Sequence, residues 1–435
     1  MPLRKLQFKP GVNQEITSYS NEGGWRDCDK IRFRFGYPEK IGGWEKFSSS
    51  TYLGSARALH NWIALDGSNY LGVGTHLKYY IEEGGAFSDI TPLRSTTSAG
   101  DVTFSATNGS TTITVSDTGH GAVENDFVTF SGAASLGGNI TAAVLNIEYQ
   151  VVSIVDANSY TITASVAANS SDTGNGGSST VGAYQINVGL DSVVGGTGWG
   201  AGTWGRGGWG SAEPNGLTTT TEIRLWSHDN FGEDLLINAR DAGVFYWDRT
   251  NNLSTRAIEL STLSGTKRSV PTICKQILVS DQDRHVIAFG CDGLNSSNTG
   301  TQGNGTQDPL LIRFSSQEDP IDWYPTVTNT AGEIRLGAGS TFVQAVETKR
   351  EILVWTDTAL NSMRFIGPPF TFGLQQLASN ITIMGPNAAV ATEDVVFWMG
   401  IDNFYVYAGQ TQQLPCTVKN KVFLDFNFSQ TAKVV

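Results

Sequence analysis

Residues 344–369 read QAVETKREILVWTDTALNSMRFIGPP, and residues 389–409 read AVATEDVVFWMGIDNFYVYAG. Each stretch holds a short run of β-branched and aromatic residues, a polar turn, and a second apolar run that ends at or near a glycine. Runs of this kind between Asp, Asn or Gly residues are typical of β-strands, and a short turn between two of them predicts a hairpin. We therefore predict two neighbouring hairpins with turns at 356–358 and 400–403.

The same hairpin pattern recurs along the chain. Leu235, Val286, Ile352 and Val396 begin equivalent strands, separated by 51, 66 and 44 residues. A further hairpin is predicted at 70–81, and the apolar run at 422–426 predicts one more strand near the end of the sequence. Repeats of about 40–50 residues with four strands each build β-propellers. The sequence thus predicts an all-β fold, an irregular β-propeller.

The composition changes between residues 95 and 205, a stretch of 111 residues without Lys or Arg. Alternating apolar and polar residues predict strands at 111–115, 127–130, 149–155 and 159–163. We interpret residues 98–186 as an inserted small domain, similar to a β-sandwich or barrel, between propeller segments 1–97 and 187–435. A tract rich in Ser, Gly and Asn at 169–180 is interpreted as the linker that leaves this domain.

Composition limits the function. The chain has 435 residues and a net charge of −12, with 11 Trp, 13 Tyr, 21 Phe and 50 Gly. The negative charge argues against a general nucleic-acid binder, because phosphate neutralisation requires clustered Lys and Arg. An acidic surface nevertheless suits a conduit in which DNA slides without sticking. Four widely separated cysteines predict free thiols in a reducing compartment, with a disulfide framework or a metal site as the alternative.

The sequence predicts no targeting or membrane segment. The first eleven residues, MPLRKLQFKPG, lack the apolar region of a signal peptide, and no run of about 18 apolar residues occurs.

Two surfaces stand out as candidate interfaces. Arg32 and Arg34 alternate with apolar residues in a predicted strand, followed by a predicted turn at 36–39 and a second strand from 41. The arginine pair is either a binding patch or the solvated face of that strand. In the Gly/Trp-rich loop 196–210, Trp199, Trp204 and Trp209 recur every five residues. These indoles fit either a groove on a neighbouring subunit or packing within the chain.

Residue patterns for catalysis are weak. The five histidines are scattered, and no metal-binding, nucleophile-elbow or phosphate-loop motif occurs. A G-x-G-x-x-G match at 200–205 lacks the helix that a dinucleotide site requires. His228 and His285 have acidic neighbours in sequence, which fit either carboxylate–histidine pairs or solvated turns. We predict no enzyme activity, no catalytic residues, no cofactor and no metal.

Two further motifs carry a family resemblance. Residues 313–325 read RFSSQEDPIDWYP, and residues 24–44 read GWRDCDKIRFRFGYPEKIGGW. With the hairpins at 360–367 and 396–409, they resemble the phage stabilisation or tail-hub family, the nozzle of short-tailed phages. The segment at 98–186 resembles a small β-module found in phage structural proteins.

The resemblance implies a virion structural protein of the tail, assembled in the host cytoplasm. It implies a homo-oligomeric ring, typically hexameric, that contacts portal or adaptor proteins and tail fibres. The ring would retain genomic DNA and pass it during ejection. From the hairpin pattern itself, we predict that the loops at 356–358 and 400–403, with Asp357, Asp402 and Asn403, make contacts or form a channel gate. Two alternatives remain open: a carbohydrate-binding or carbohydrate-acting propeller, and an adhesion module that uses the inserted domain.

Overall fold

The computed structural model describes residues 8–191, 223–297 and 299–434, and nearly all of its regular structure is antiparallel β-sheet. The predicted all-β class is confirmed. The described residues form two compact units, one containing Ser50–Asp191 and Ile223–Ser264, and the other containing the remainder. Closure of the sheets into a propeller remains a prediction.

The first two strands of the described residues form a short hairpin, β1 (Ile31–Arg34) and β2 (Tyr37–Lys40). Phe35 and Gly36 form its two-residue turn, both with positive φ, as a type I′ hairpin turn requires. The predicted turn at 36–39 and strand from 41 are therefore wrong. The chain reverses earlier than expected, which places Tyr37 directly opposite Arg34.

The first four-stranded sheet lies in the unit that contains Ser50–Asp191. Its strands pair in sequence order, and they are β3 (Ala56–Ile63), β4 (Asn69–Thr75), β5 (Tyr79–Glu83) and β6 (Ala86–Asp89). The middle strands β4 and β5 are buried along most of their length. The predicted hairpin at 70–81 corresponds to β4 and β5.

Two sheets and a one-turn helix then form a distinct core. Their elements are β7 (Leu93–Thr96), β8 (Thr103–Ala106), β9 (Thr112–Ser116), β10 (Phe127–Ser131), α1 (Ala142–Leu145), β11 (Glu148–Gln150), β12 (Ser153–Asp156), β13 (Ser159–Thr163), β14 (Asp172–Asn175) and β15 (Val181–Gln185). One sheet has the order β11-β10-β15-β7, and the other has the order β12-β13-β9-β8-β14. Apolar residues of both sheets, including Phe104, Phe130 and Tyr160, share one buried cluster.

Two local predictions about this region are wrong. Residues 149–155 form two strands, β11 and β12, which belong to different sheets. The tract at 169–180 contains β14, which pairs with β8, so it is part of a sheet and not a linker. In both cases, the partner strand decides the structure, and local composition does not reveal that partner.

The same compact unit contains a third four-stranded sheet: β16 (Trp226–Phe231), β17 (Asp234–Ala239), β18 (Val244–Trp247) and β19 (Ile258–Glu259). Its order again follows the sequence. Trp226, Ile237 and Trp247 pack with Tyr79 and Ile81 in one buried cluster. The sheets β3–β6 and β16–β19 therefore share an apolar core.

The other unit contains three sheets of the same order. They are β20 (Gln276–Val279), β21 (Val286–Phe289), β22 (Leu311–Phe314) and β23 (Gly332–Arg335); β24 (Phe342–Glu347), β25 (Ile352–Thr356), β26 (Ala359–Gly367) and β27 (Thr371–Ser379); and β28 (Ala389–Thr392), β29 (Val395–Met399), β30 (Phe404–Tyr407) and β31 (Thr411–Gln413). Successive sheets share buried apolar clusters. β21 and β25 are buried at every position, which explains their uninterrupted apolar sequences.

The last prediction about local structure is also wrong. The run at 422–426 lies mostly in a helix, α2 (Lys419–Asp425). Lys419, Val422, Phe423 and Phe426 are half-buried at the i, i+3, i+4 and i+7 spacing of one helical face. Phe423 packs against Phe404 with ring centroids 5.3 Å apart. The local composition of this run is typical of a strand, but its apolar residues have helical spacing, and Phe423 on this face contacts the last sheet.

Candidate interaction surface

The predicted candidates Arg32 and Arg34 lie on the exposed side of β1. Arg32 forms an ion pair with Glu39 on the facing strand, with Nη2 3.2 Å from Oε1. The Arg34 guanidinium carbon lies 5.5 Å from the centre of the Phe35 ring. Both arginines therefore belong to a solvent-facing hairpin surface, and one of them also supports the strand pairing.

This hairpin belongs to a longer exposed segment, residues 8–49, which we call the N-terminal arm. None of the described residues from 8 to 63 is buried. Phe35, Tyr37, Trp44 and Phe47 are 88%, 76%, 103% and 78% exposed. Monomeric proteins rarely expose large apolar patches, and such patches usually mark interaction sites. Sequence reasoning singled out the arginines of this region and missed the exposed aromatic rings beside them.

The base of the arm is fixed to the C-terminal region of the same chain. The backbone N–H of Gln14 donates to the Thr417 carbonyl oxygen at 2.8 Å. The Thr417 hydroxyl donates to the Val12 carbonyl oxygen at 2.6 Å, and the Asn420 N–H donates to Glu15 Oε1 at 2.7 Å. The arm therefore starts from a defined position, although its hairpin faces solvent.

Asp357, a predicted gate residue, lies in the turn between β25 and β26. Its carboxylate accepts hydrogen bonds from the backbone N–H and the hydroxyl of Ser340, at 2.8 and 2.7 Å. Burial raises the pKa of Asp357, but these hydrogen bonds outweigh burial and hold the pKa below its ordinary value. The Asp357 side chain thus links the turn after β25 to the loop just before β24.

Asp402 and Asn403, the other predicted gate residues, lie in the turn between β29 and β30. Asp402 is exposed and accepts a 3.3 Å hydrogen bond from the Tyr405 hydroxyl. The Asn403 carbonyl oxygen accepts from the Gly400 N–H at 2.8 Å. This turn is thus more open than the Asp357 turn.

The motif at 313–325 forms a buried polar network. The Arg313 side chain is fully buried, and its Nη1 donates to the Asp292 carbonyl oxygen at 3.1 Å. Its guanidinium carbon lies 5.9 Å from the centre of the Trp323 ring. The Trp323 indole N–H donates to the Pro320 carbonyl oxygen at 2.8 Å. The residues that carry the family resemblance therefore stabilise the sheet region around β22.

A second polar cluster, centred on Glu351, was not found from the sequence. Glu351 accepts hydrogen bonds from Ser362, from Arg364 Nη2 at 2.8 Å and from the Tyr407 hydroxyl at 2.7 Å. Burial, followed by the neighbouring Glu351, raises the pKa of Tyr407 to about 12. Tyr407 also lines an open groove of about 450 Å³ with Leu377 and Gln410. No local sequence pattern marks this cluster, because Glu351 directly precedes β25, Ser362 and Arg364 lie on β26, and Tyr407 lies on β30.

An ionic cluster around the buried Lys78 connects different sheets in the unit that contains Ser50–Asp191 and Ile223–Ser264. The Lys78 side chain, 2% exposed, has its Nζ 2.6 Å from both Asp89 Oδ2 and Glu148 Oε2. Arg256 Nη1 lies 2.6 Å from Asp89 Oδ1, and Arg256 Nη2 lies 3.2 Å from Glu148 Oε1. Glu148 belongs to β11, whereas Lys78 directly precedes β5 and Arg256 lies between β18 and β19. The cluster therefore links the sheet of β11 to the connections within the sheets β3–β6 and β16–β19.

The histidines have other partners than the predicted carboxylates. His228 Nδ1 lies 2.9 Å from the Tyr79 hydroxyl, and its ring centre is 4.8 Å from that of His60. His285 Nε2 lies 3.0 Å from the Thr330 hydroxyl. The nearby Asp234 instead accepts from the Arg249 N–H at 2.9 Å. The carboxylate–histidine interpretation is therefore not supported by the contacts of either ring.

The remaining predicted sites are the loop tryptophans, the cysteines and a metal site. Trp199, Trp204 and Trp209 lie outside the described residues. All four cysteines are free thiols, with Cys274 and Cys291 buried and the other two half-buried. Among the described residues, no group of three or more His, Cys, Asp or Glu side chains could hold a metal ion.

Within the ranges that the structure covers, no helix has the length and apolar character needed to cross a membrane.

Comparisons with known proteins find structural neighbours only. No family model matches the chain, and no curated protein matches it. Among solved structures, the phage phi92 endosialidase is 12% identical with a TM-score of 0.23, over 83% of this chain and 55% of that chain. The tricorn protease is 9% identical with a TM-score of 0.23, over 87% of this chain and 36% of that chain. The chain thus spans about half and about a third of the lengths of these two neighbours.

Proposed function

We propose that this protein is a structural subunit of a short-tailed phage tail, in the hub or nozzle. In this role it forms a homo-oligomeric conduit that retains genomic DNA and passes it during ejection. The observation that carries the proposal is the N-terminal arm, which exposes Phe35, Tyr37 and Trp44 to solvent in a single chain. A surface of this kind is expected in a protein that functions within a larger assembly.

The sequence motifs provide independent support. The motif at 313–325 resembles the tail-hub family, and its Arg313 and Trp323 side chains are both fully buried. These residues support a sheet, as expected of a scaffold protein without an active site. The proposed partners are other copies of this chain, portal or adaptor proteins, tail fibres and transiently passing DNA.

Electron microscopy of the purified protein tests the proposal directly. We expect closed rings with an axial channel, and we expect the chain in tails of intact virions by immunogold labelling. A protein that stays monomeric at high concentration and is missing from virion tails would contradict the proposal.

The net charge of −12 leads to a more specific expectation for the channel. We propose that acidic side chains line it and repel phosphate over a Debye length of about 8–10 Å, which keeps DNA mobile. A reconstruction of the ring at side-chain resolution tests this expectation. A lumen lined by Lys and Arg would refute it, while leaving the ring itself in place.

One observation favours adhesion through the inserted domain as a second function. β12 is an edge strand of its sheet, and Val152 and Val155 beside and within it are 53% and 58% exposed. Exposed apolar edge strands are common sites of strand addition. If this edge binds a receptor, Val152→Asp and Val155→Asp should abolish phage adsorption and leave tail assembly intact. Unchanged adsorption in both variants would remove this function.

A further inference from the structure

We infer that the β1–β2 hairpin of the N-terminal arm binds a second copy of this chain. The inference deepens the proposed function and rests on it, because it names the surface through which neighbouring subunits would associate. It concerns the hairpin and the aromatic residues directly after it, residues 30–47.

The hairpin lacks a core of its own. It has two strands of four residues each, and an isolated two-stranded hairpin is at best marginally stable in water. Phe35 and Tyr37 at its tip and Trp44 after it expose at least three quarters of their surface. Both strands also have a free edge in the single chain, since β1 and β2 pair only with each other among the described strands. Burial against a partner would satisfy both the apolar surface and these edges.

Charge favours another copy of the same chain as that partner. Residues 30–40 contain four basic residues and one acidic residue, whereas the whole chain has 29 basic and 41 acidic residues. The rest of the chain therefore contains 25 basic and 40 acidic residues. A basic aromatic hairpin would therefore be attracted to the net negative remainder of a second copy, which favours encounter and register. Two hairpins placed against each other would instead repel.

The base of the arm is compatible with this arrangement. Val12, Gln14 and Glu15 are hydrogen-bonded to Thr417 and Asn420 of their own chain. Each copy therefore presents its hairpin from a fixed position. A hairpin that docks onto the next copy would connect the two folded bodies without any change in their cores.

Sedimentation velocity of the full chain, from low to high concentration, tests the inference. A triple variant with Phe35→Ser, Tyr37→Ser and Trp44→Ser should weaken self-association by at least about tenfold, as expected when central aromatic residues of an interface are removed. The matched control combines Leu65→Ser and Val327→Ser, which lie outside the arm and are 93% and 104% exposed. This control should associate like the wild type.

A charge-reversal variant of the hairpin gives a second, independent test of self-association. Arg34→Glu should also weaken association, and the difference from wild type should shrink at high salt because salt screens the attraction. Circular dichroism melting checks that each variant keeps its fold. An arm variant that associates as tightly as wild type, with its fold intact, would overturn the inference and leave the proposed function untouched.

Two other outcomes separate the inference from the proposed function. Open chains of subunits that depend on the arm would support the inference and contradict a closed conduit. A wild-type chain that stays monomeric would overturn the inference, and the arm would then bind a different protein. In that case the presence or absence of the chain in virion tails decides the proposed function separately.

Discussion

Gln344 and Ala389 exchange a pair of hydrogen bonds across two neighbouring sheets. The side-chain Nε2 of Gln344 donates to the Ala389 carbonyl oxygen at 3.1 Å, and its Oε1 accepts from the Ala389 N–H at 3.0 Å. Gln276 makes the same pair with Ala345, at 2.8 and 2.9 Å. A glutamine amide can do this because it carries both a donor and an acceptor. The first strands of three successive sheets, β20, β24 and β28, are thereby joined in the same way.

Replacing this amide should destabilise the unit that contains these sheets. Gln344→Leu leaves two backbone groups of Ala389 without their partner and should lower the free energy of unfolding by about 1–3 kcal/mol. Urea denaturation measures the change. Gln375→Leu, at an exposed position of β27, is the matched control and should change stability by less than about 0.5 kcal/mol. Equal losses in both variants would show that the amide pair is not responsible.

The Lys78 cluster predicts a larger effect. Lys78→Met removes one of the two cations that contact both Asp89 and Glu148, and leaves these part-buried carboxylates with Arg256 alone. We expect a loss of about 3–5 kcal/mol in the free energy of unfolding, as for other buried pairs that lose one partner. Lys349→Met removes an exposed pair in which Nζ lies 3.5 Å from Glu393, and should cost less than about 1 kcal/mol. Similar costs for both variants, measured by urea denaturation, would contradict the importance of the buried cluster.

Two histidines with lowered pKa values predict sensitivity to acid. Burial, followed by the neighbouring His60, lowers the pKa of His228 to about 3, and burial lowers the pKa of His285 to about 4. Both values lie below the ordinary 6.5, so the unfolded chain binds these protons first as pH falls. Their contribution to stability is complete above pH 6.5 and is lost as pH falls towards these values. Each histidine should contribute a slope of about 1.4 kcal/mol per pH unit.

Urea denaturation at closely spaced pH values between 8 and 5 measures that slope. His228→Gln should reduce it by the share of one histidine, while the slope of both proteins stays small above pH 7. A wild-type stability that is flat from pH 7 to pH 5 would be inconsistent with the lowered pKa values of these histidines.

The two predicted gate turns should respond differently to substitution. Asp357→Ala removes two hydrogen bonds from Ser340 and should cost about 1 kcal/mol. Asp402→Ala, at an exposed position, should change stability by less than about 0.5 kcal/mol. Thermal melting gives these values, and DNA ejection from variant phage tests gating. An Asp357→Ala protein with unchanged stability but altered ejection would favour the gate interpretation over a structural role.

The sequence alone identified most of the central strands. The predicted strand starts at Val286 and Ile352 agree with β21 and β25, because strands that are buried on both sides are rich in consecutive apolar residues. The local sequence pattern was less informative outside these central strands. The strand from 41, the linker at 169–180 and the strand at 422–426 were wrong, since a turn, a distant partner strand and a packed helix face decide these three regions.

Local sequence thus determined the β character of this chain, the hairpin turns at 356–358 and 400–403, and the buried central strands. These properties depend on steric preferences and on burial of residues close together in sequence. Only the tertiary structure joined Gln344 to Ala389, Lys78 to Glu148 and Glu351 to Tyr407, because each polar group pairs with a residue on another strand far along the chain. The exposure of the N-terminal arm was likewise decided by the fold. A sequence shows that Phe35 and Trp44 are apolar, but only the folded chain shows that nothing within its described residues buries them.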